Sequence, residues 1–319
     1  MKSVVLVTAI GTVTATAIVT ELKKRDFYII GTDINKEYEI ATSKDVDEFY
    51  TFPPISNMKE YTNYVLKFCE AHRVKYYYAV LDKEVVHITK MKAIFERIGT
   101  KLCMVNYEFA ERCHYKNKFS DWIQINMPEI LIKSYKSYDE IDENTFPVFI
   151  KPVEGVASNG CKKIESLSAL KENVSDKEFN YRFLVQEYVE GQNITVDLIR
   201  NKKTGQKIQI QRKELLRNGN GCGIAVEIFE DYNLCQICDD LMEKMDLNGI
   251  ANAEFFFDGS SYKIIEINPR FSAGTRYSCL AGINTVVNAM HICNGKECEF
   301  GRIAIGKHFA ERYEAYQMD

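Results

Sequence analysis

A chain of 319 residues, 46% hydrophobic and 27% charged, is long enough for two domains and ordinary in composition for a globular protein, which argues against a disordered or fibrous chain. A formal net charge of −4 supplies no global basic field for sequence-independent nucleic-acid binding, so any anionic ligand must be met by local groups. The apolar run over residues 1–10 is too short to span a bilayer and lacks a small-residue cleavage site before the polar stretch that follows, so it reads as a first buried strand. A cytoplasmic protein without membrane contact is expected, and the ten cysteines, scattered without a framework, read as free thiols in a reducing compartment.

In chain order, residues 3–7 are apolar, Gly11 breaks the run, and residues 15–22 carry helical periodicity before a second strand at 28–30 that ends on Thr32 and Asp33. Gly11, with Asp33 about twenty residues later, invites a dinucleotide reading, but the G-x-G-x-x-G turn needs three glycines and only Gly11 is present. Gly11 is therefore read as a tight strand-to-helix turn in a degenerate Rossmann-like domain. A helix over 58–70, a strand at 76–80, a helix over 84–98 and a short strand at 102–105 continue the alternation and imply a parallel, doubly wound sheet up to about residue 108. Asp82 and Glu84, at a strand end, would face a cleft, although Asp82 serves equally as a helix N-cap.

From residue 106 the pattern changes. A helix over 108–125 is followed by Pro128 and Pro147, which bracket a stretch leading into a strand at 148–150. Short strands then dominate, at 183–187, 194–200, 207–211, 251–257 and 262–267, with a helix over 234–245. This second region reads as α+β with antiparallel pairing, and function is expected where the two regions meet. Cys235 and Cys238 form a C-x-x-C inside the helix, with no second pair at zinc spacing, so neither zinc nor redox use is expected of them.

Two segments carry chemistry. Lys151 ends an apolar strand and is followed by Gly155, Ser158 and Gly160; glycine lets backbone approach closely, amides and the Ser158 hydroxyl donate, and lysine brings charge, so the loop suits phosphates. The alternative is an exposed turn after an edge strand, and the G-K-[ST] order of a Walker loop is missing. In the second segment, strand alternation over 263–268 puts Glu266 and Asn268 on one face, with Ile265 and Ile267 on the other. A three-residue loop at 259–261 would set Glu254 opposite Glu266. Like charges opposed across a sheet destabilise it unless a hard cation neutralises them; otherwise the pair lies on a solvated face. Arg270 and the strand-ending Pro269 follow at once.

With these residues in order the sequence resembles the ATP-grasp superfamily, and within it the carbamoyl-phosphate-synthase-like and carboxylate–amine ligases. The resemblance implies a Rossmann-like pre-ATP-grasp domain over 1–108 and an ATP-grasp domain over 109–319, with a phosphate-loop lobe at 109–185 and a metal and acceptor lobe at 186–319. Glu254, Glu266 and Asn268 match the magnesium ligands and Arg270 the arginine that follows them; Lys151 with Gly155, Ser158 and Gly160 matches the second ATP lysine and its phosphate loop. The run from Gln186 to Gly191 is similar to the adenine hinge, implying contacts from the Gln186 side chain, the Glu187 carbonyl and the Val189 amide. Lys116 aligns with the first ATP lysine, with Lys118 a competing assignment because Tyr115 replaces the usual acidic residue. Asn193 stands where a ribose-binding glutamate is common, and its amide can bond hydroxyls too.

The activity so implied starts with a small-molecule carboxylate attacking the γ-phosphate of ATP; an amine or other nucleophile then captures the acyl phosphate, releasing ADP and phosphate. ATP and magnesium, with manganese as a substitute, are the implied cofactors, and a homodimer is compatible. Arg270 would stabilise the transferring phosphoryl group, one of Arg212, Lys213 and Arg217 would meet phosphate or substrate, and Arg276, in an acceptor wall over 272–276, would clamp an acid. Alternatives are a carbamoyl-phosphate-type kinase acting on bicarbonate or carbamate, and a non-catalytic ATP-binding regulatory module.

Overall fold

The structure, a computed structural model, describes residues 2–155 and 160–318. Ser158 lies outside the described residues. The chain begins β1 (Ser3–Thr8), α1 (Val13–Lys23), β2 (Phe27–Asp33), β3 (Glu48–Thr51), α2 (Met58–Ala71), β4 (Tyr76–Tyr78), α3 (Asp82–Lys90), α4 (Lys92–Arg97) and β5 (Lys101–Leu102). These strands pair in parallel in the order β3-β2-β1-β4-β5. Consecutive residues Val5, Leu6 and Val7 are all fully buried, as a parallel strand covered on both faces requires. The turn after β1 is tight for a packing reason: a Cβ on Gly11 would sit 2.7 Å from Ile40 Cδ1, and the Gly11 N–H donates to Asp33 Oδ2 at 2.9 Å.

The helix expected over 84–98 is two helices, with Met91 between them. Asp82 opens α3 rather than capping it, the cap position being Leu81. Glu84 is not at the cleft. It is fully buried and accepts from Thr8 Oγ1 at 3.0 Å, Tyr61 Oη at 2.6 Å and Tyr77 Oη. Burial raises its pKa above the ordinary carboxylate value, the three hydroxyls opposing.

The chain continues with α5 (Tyr107–His114), α6 (Lys116–Asn126), β6 (Ser134–Tyr135), β7 (Val148–Pro152), β8 (Lys162–Ile164), α7 (Leu167–Asn173) and β9 (Phe183–Glu187). Their antiparallel sheet, β6-β9-β7-β8, has its own small core of Val148, Ile150, Ile164, Leu170 and Val185. The single helix expected over 108–125 is broken at Tyr115, which is extended at φ −99° and ψ 113°. That break frees the Lys116 N–H to bond the Val153 carbonyl at 3.2 Å, tying the start of α6 to the end of β7.

The remainder is β10 (Gln192–Asn201), β11 (Gln206–Arg217), β12 (Gly223–Phe229), α8 (Tyr232–Lys244), β13 (Gly249–Phe257), β14 (Tyr262–Asn268), α9 (Thr275–Leu280), α10 (Thr285–Cys293) and β15 (His308–Ala310). Its antiparallel sheet runs β14-β13-β10-β11-β12-β15. One face packs Val196, Leu198, Ala253 and Phe255 into the same core as Val65 of α2 and Val85 of α3, so the parallel sheet's helices and the large antiparallel sheet share a core. Among the described residues no helix is long and apolar enough to cross a membrane.

Gly249 sits where these layers touch, at φ +132°, and a Cβ there would lie 2.7 Å from Val105 Cα. Both the backbone conformation and the contact demand glycine. Gly249→Ala is expected to destabilise the fold by about 1–3 kcal/mol, seen as a lower urea midpoint; an unchanged midpoint contradicts the close approach.

Candidate functional site

The site is built on β13 and β14. Phe257 pairs with Tyr262, leaving a loop of four residues rather than the expected three, and Ile265 is then inserted as a bulge between the Phe255–Ile264 and Glu254–Glu266 pairs. Glu254 does face Glu266, and Asn252 faces Asn268, but by this different route. The bulge lets Ile264 and Ile267 both enter the core, while Glu266 and Asn268 stay together on the opposite face. Ile265, expected beside Ile267, instead lines a small cavity with Lys151, Gln186 and Lys116.

The cross-strand pairs extend this polar face over β10 and β11, where Thr195 neighbours both Glu254 and Arg212. Glu254 is pushed up to about 7, first by burial and then by Glu266 and Glu214, with Arg217 and Arg270 pulling the other way. Arg217 reaches Glu254 at 3.8 Å, Glu214 at 2.8 Å and the Asn193 Oδ1 at 2.9 Å. Arg270 is shared between Asp82, at 3.1 Å, and the Asn268 Oδ1, at 3.3 Å. Asp82, at the start of α3, therefore does face the cleft, as Arg270's counter-ion. The Asn268 Nδ2 donates to Glu254 Oε1 at 3.1 Å.

Opposed carboxylates that are partly buried and incompletely neutralised, beside an amide, are a hard-oxygen donor set that fits a magnesium ion. Asn268 would have to turn its amide to offer oxygen. Two carboxylates fall short of a cluster of three His, Cys, Asp or Glu, and none of that kind occurs among the described residues, Cys235 and Cys238 included.

Both lysines come from the smaller sheet's side of the cleft. Lys116 Nζ donates to the Gly155 carbonyl at 3.0 Å and lies 3.8 Å from Glu266. Lys118 is exposed, with its ammonium over the Tyr115 ring at 4.5 Å, so of the two competing lysines it is Lys116 that reaches the carboxylates. Lys151 is buried and donates to the Ile265 carbonyl at 3.0 Å, the bulge residue. Burial lowers its pKa, with Glu266 opposing. Gln186 is buried and donates to the Ile132 carbonyl at 3.3 Å, while Val189, past the end of β9, has an N–H without a partner among the described residues. Gly160 is left-handed at φ +78°.

The other cationic candidates separate. Arg212 does not reach out to a ligand: it is 1% exposed and makes a two-pronged ion pair with Asp197, both contacts at 2.9 Å. It also donates to Ser272 Oγ at 3.1 Å and Ser278 Oγ at 2.7 Å. Lys213 pairs with Glu227 at 3.2 Å. Arg276 is not brought to the carboxylates; Thr275, Tyr277 and Ser278 bury their sides of α9 and leave Arg276 exposed, its charge acting on Glu311. Sequence reasoning missed Asp197 and Glu214. A carboxylate mid-strand two pairs away from Arg212, hence on its face, was the available signal for Asp197; Glu214 sits two residues past Arg212, on that same face.

Three outcomes follow. Glu266→Gln should lower the Glu254 pKa from about 7, read by NMR titration of its carboxyl, and an unmoved titration contradicts the coupling. Because that folded-state pKa is raised, Glu254 keeps its proton in the native chain where the unfolded chain has lost it, so it makes stability fall as pH rises from about 4.5 to about 7; Glu254→Gln should flatten that part of the pH–stability profile. Arg212→Met strands the buried Asp197 charge and is expected to destabilise by about 3–5 kcal/mol, measured by denaturant unfolding.

Residues 179–307 match the family model described as ATP-grasp in the biosynthetic pathway with Ter operon, and residues 118–218 match that of the D-ala D-ala ligase C-terminus. The carbamoyl phosphate synthase large chain of Clostridium acetobutylicum is 22% identical over 217 residues, 62% of this chain and 20% of that protein; the chain thus spans about a fifth of the length of this relative. In fold, the chain is similar to the biotin carboxylase domain of 2-oxoglutarate carboxylase from Hydrogenobacter thermophilus, with a TM-score of 0.75 at 14% identity, covering 97% of this chain and 73% of that one. An L-amino acid ligase from Bacillus licheniformis is similar too, with a TM-score of 0.69 at 12% identity over 92% of this chain and 74% of that one. Over residues 179–307 the chain is thus similar to an ATP-grasp family, the same superfamily that its motif order resembles.

Proposed function

We propose that this chain is an ATP- and magnesium-dependent ligase that activates a small-molecule carboxylate as an acyl phosphate and joins it to an amine or other nucleophile, forming a carbon–nitrogen bond and releasing ADP and phosphate. The observation that carries the reading is one cleft with two ammonium groups, Lys116 and Lys151, on one wall and Glu254, Glu266 and Asn268 on the other. In this reading residues 1–108 form a Rossmann-like pre-ATP-grasp domain and 109–319 the ATP-grasp domain.

Gln186, Glu187 and Val189 hold the adenine, and the Val189 N–H, without a partner among the described residues, supports that use. Asn193 meets the ribose once its amide exchanges Arg217 for hydroxyls. Lys116, Lys151, Gly155 and Gly160, together with Ser158, balance and cradle phosphate charge. Glu254, Glu266 and Asn268 hold magnesium, or manganese in its place, which supplies neutralisation of phosphate charge as the phosphoryl group moves. Arg270, kept in place by Asp82, and Arg217 then lie where a phosphoryl group or acyl-phosphate oxygen gathers negative charge. Arg276, exposed on α9, is left as a substrate contact.

A second reading makes bicarbonate the acid. It is favoured by the carbamoyl phosphate synthase relative and by the biotin carboxylase neighbour, whose structure holds MgADP and bicarbonate. Bicarbonate and ammonia sufficing as substrates would select it.

Magnesium-dependent ADP release, screened over acids and amines, is the test. Glu266→Gln is expected to lose at least 100-fold in turnover, about 2.7 kcal/mol or more of barrier, with a melting temperature no lower than that of the wild type; undiminished activity removes the assignment. Lys151→Ala should weaken ATP binding at least tenfold by calorimetry, and unchanged affinity would count against Lys151 as a phosphate ligand. ATP-dependent thermal stabilisation with no product from any substrate pair would point to a regulatory module instead.

A further inference from the structure

On the same face of the large sheet as Glu254, but further toward the start of β13 where α10 packs in one core with Ile199 and Ile250, an unrelated pair of thiols meets across two elements. Cys103, just past β5, and Cys293, the last residue of α10, are 190 positions apart, with their sulfurs 3.8 Å from each other. The surrounding contacts hold both partners in register: Lys101 Nζ donates to Asn294 Oδ1 at 2.7 Å, Asn294 Nδ2 donates to Tyr76 Oη at 3.1 Å, and Tyr78 Oη donates to the Val286 carbonyl at 2.8 Å. The two thiols are unequal. Cys103 is 1% exposed, whereas Cys293 is half-buried and lines an open cleft of about 800 Å³ with Lys202, Lys203 and Asn248.

We propose that Cys293 is a thiol-modification site and Cys103 its resolving partner, so that a small disulfide reagent entering this cleft leaves an intramolecular Cys103–Cys293 bond joining the parallel sheet to α10. Access fixes the order, since the reagent reaches Cys293 and not Cys103. The Cys293 thiolate attacks one sulfur of the reagent, whose disulfide breaks and releases one thiolate. Cys103 then attacks the Cys293 sulfur while its proton passes to the departing reagent sulfur, which leaves as the second thiol; the first thiolate has taken up the proton that Cys293 lost. Two protein thiols are oxidised and one reagent disulfide is reduced to two thiols. The protein sulfurs must approach from 3.8 Å to about 2.0 Å, a rotation of two short side chains between elements already held by the contacts above. The thiolate is the attacking form, and the Cys103 hydrogen bond, helped by Lys101 and Lys92, lowers the Cys293 pKa while burial raises that of Cys103. The same charges draw an anionic reagent.

The test is incubation of the full chain with oxidised glutathione, followed by peptide mapping under non-reducing conditions and thermal unfolding. The expected product has lost two hydrogens, links the Cys103 and Cys293 peptides, reverts with dithiothreitol and melts at a higher temperature than the reduced chain, because a long loop is closed in the unfolded state. Cys103→Ser should stop at one glutathionyl group on Cys293, with no rise in melting temperature. A wild-type chain that stays reduced, keeps the glutathionyl group on Cys293 or links other cysteines overturns the proposal, and this mapping stands even if Cys103→Ser fails to fold.

Discussion

The site depends on the register of β13 against β14. Ile265 is inserted as a bulge, and this single extra residue does three things: it brings Glu266 opposite Glu254, it keeps Ile264 and Ile267 both in the core, and it turns a carbonyl toward Lys151. A one-residue slip would exchange the faces and bury the carboxylates against Ala253 and Phe255. Apolar burial on one face therefore enforces a charge arrangement on the other that is unfavourable by itself, which is visible in the raised pKa of Glu254. In the proposed function that stored repulsion is what a dication relieves.

Around this hairpin the fold holds the cationic groups in two different ways. Arg212 is wholly committed to Asp197, Ser272 and Ser278, and so fixes the segment after Arg270 against the sheet. Gly274 packs so near that a Cβ there would lie 3.0 Å from the guanidinium carbon. Lys116, Lys151, Arg217 and Arg270 are only partly committed, sharing carbonyls and carboxylates that face the cleft. Buried ion pairs of the first sort shape a wall, whereas the second sort leaves charge available to a ligand.

Local pattern made the large elements legible. Alternation of apolar runs and helical periodicity located the parallel strands, and short apolar runs located β9 to the residue and β10 and β13 to within two residues. The strands at 48–51, 162–164, 223–229 and 308–310 were not legible, because they are short, charged or glycine-led and owe their pairing to partners distant in sequence. The breaks at Met91 and Tyr115 carry no proline or glycine and come from tertiary contacts such as the bond from the Lys116 amide to Val153. At the site, Glu254, Glu266, Asn268 and Lys151 were readable from strand geometry and motif order together. That Arg212, among the three cations offered, is the one committed to Asp197 was not legible, because a cation's burial and partners depend on the sheet's cross-strand neighbours. The bulge at Ile265 was invisible for the same reason: it trades against a loop one residue longer, and both give the same Glu254–Glu266 pair.

The central claim is that a nucleotide sits between the small antiparallel sheet and the β13–β14 hairpin. A crystal structure of the chain with MgADP tests it most directly. The account predicts the adenine against Gln186 to Val189 and the diphosphate between Lys116, Lys151 and the Glu254–Glu266 pair; a nucleotide bound elsewhere, with this cleft empty, would contradict it.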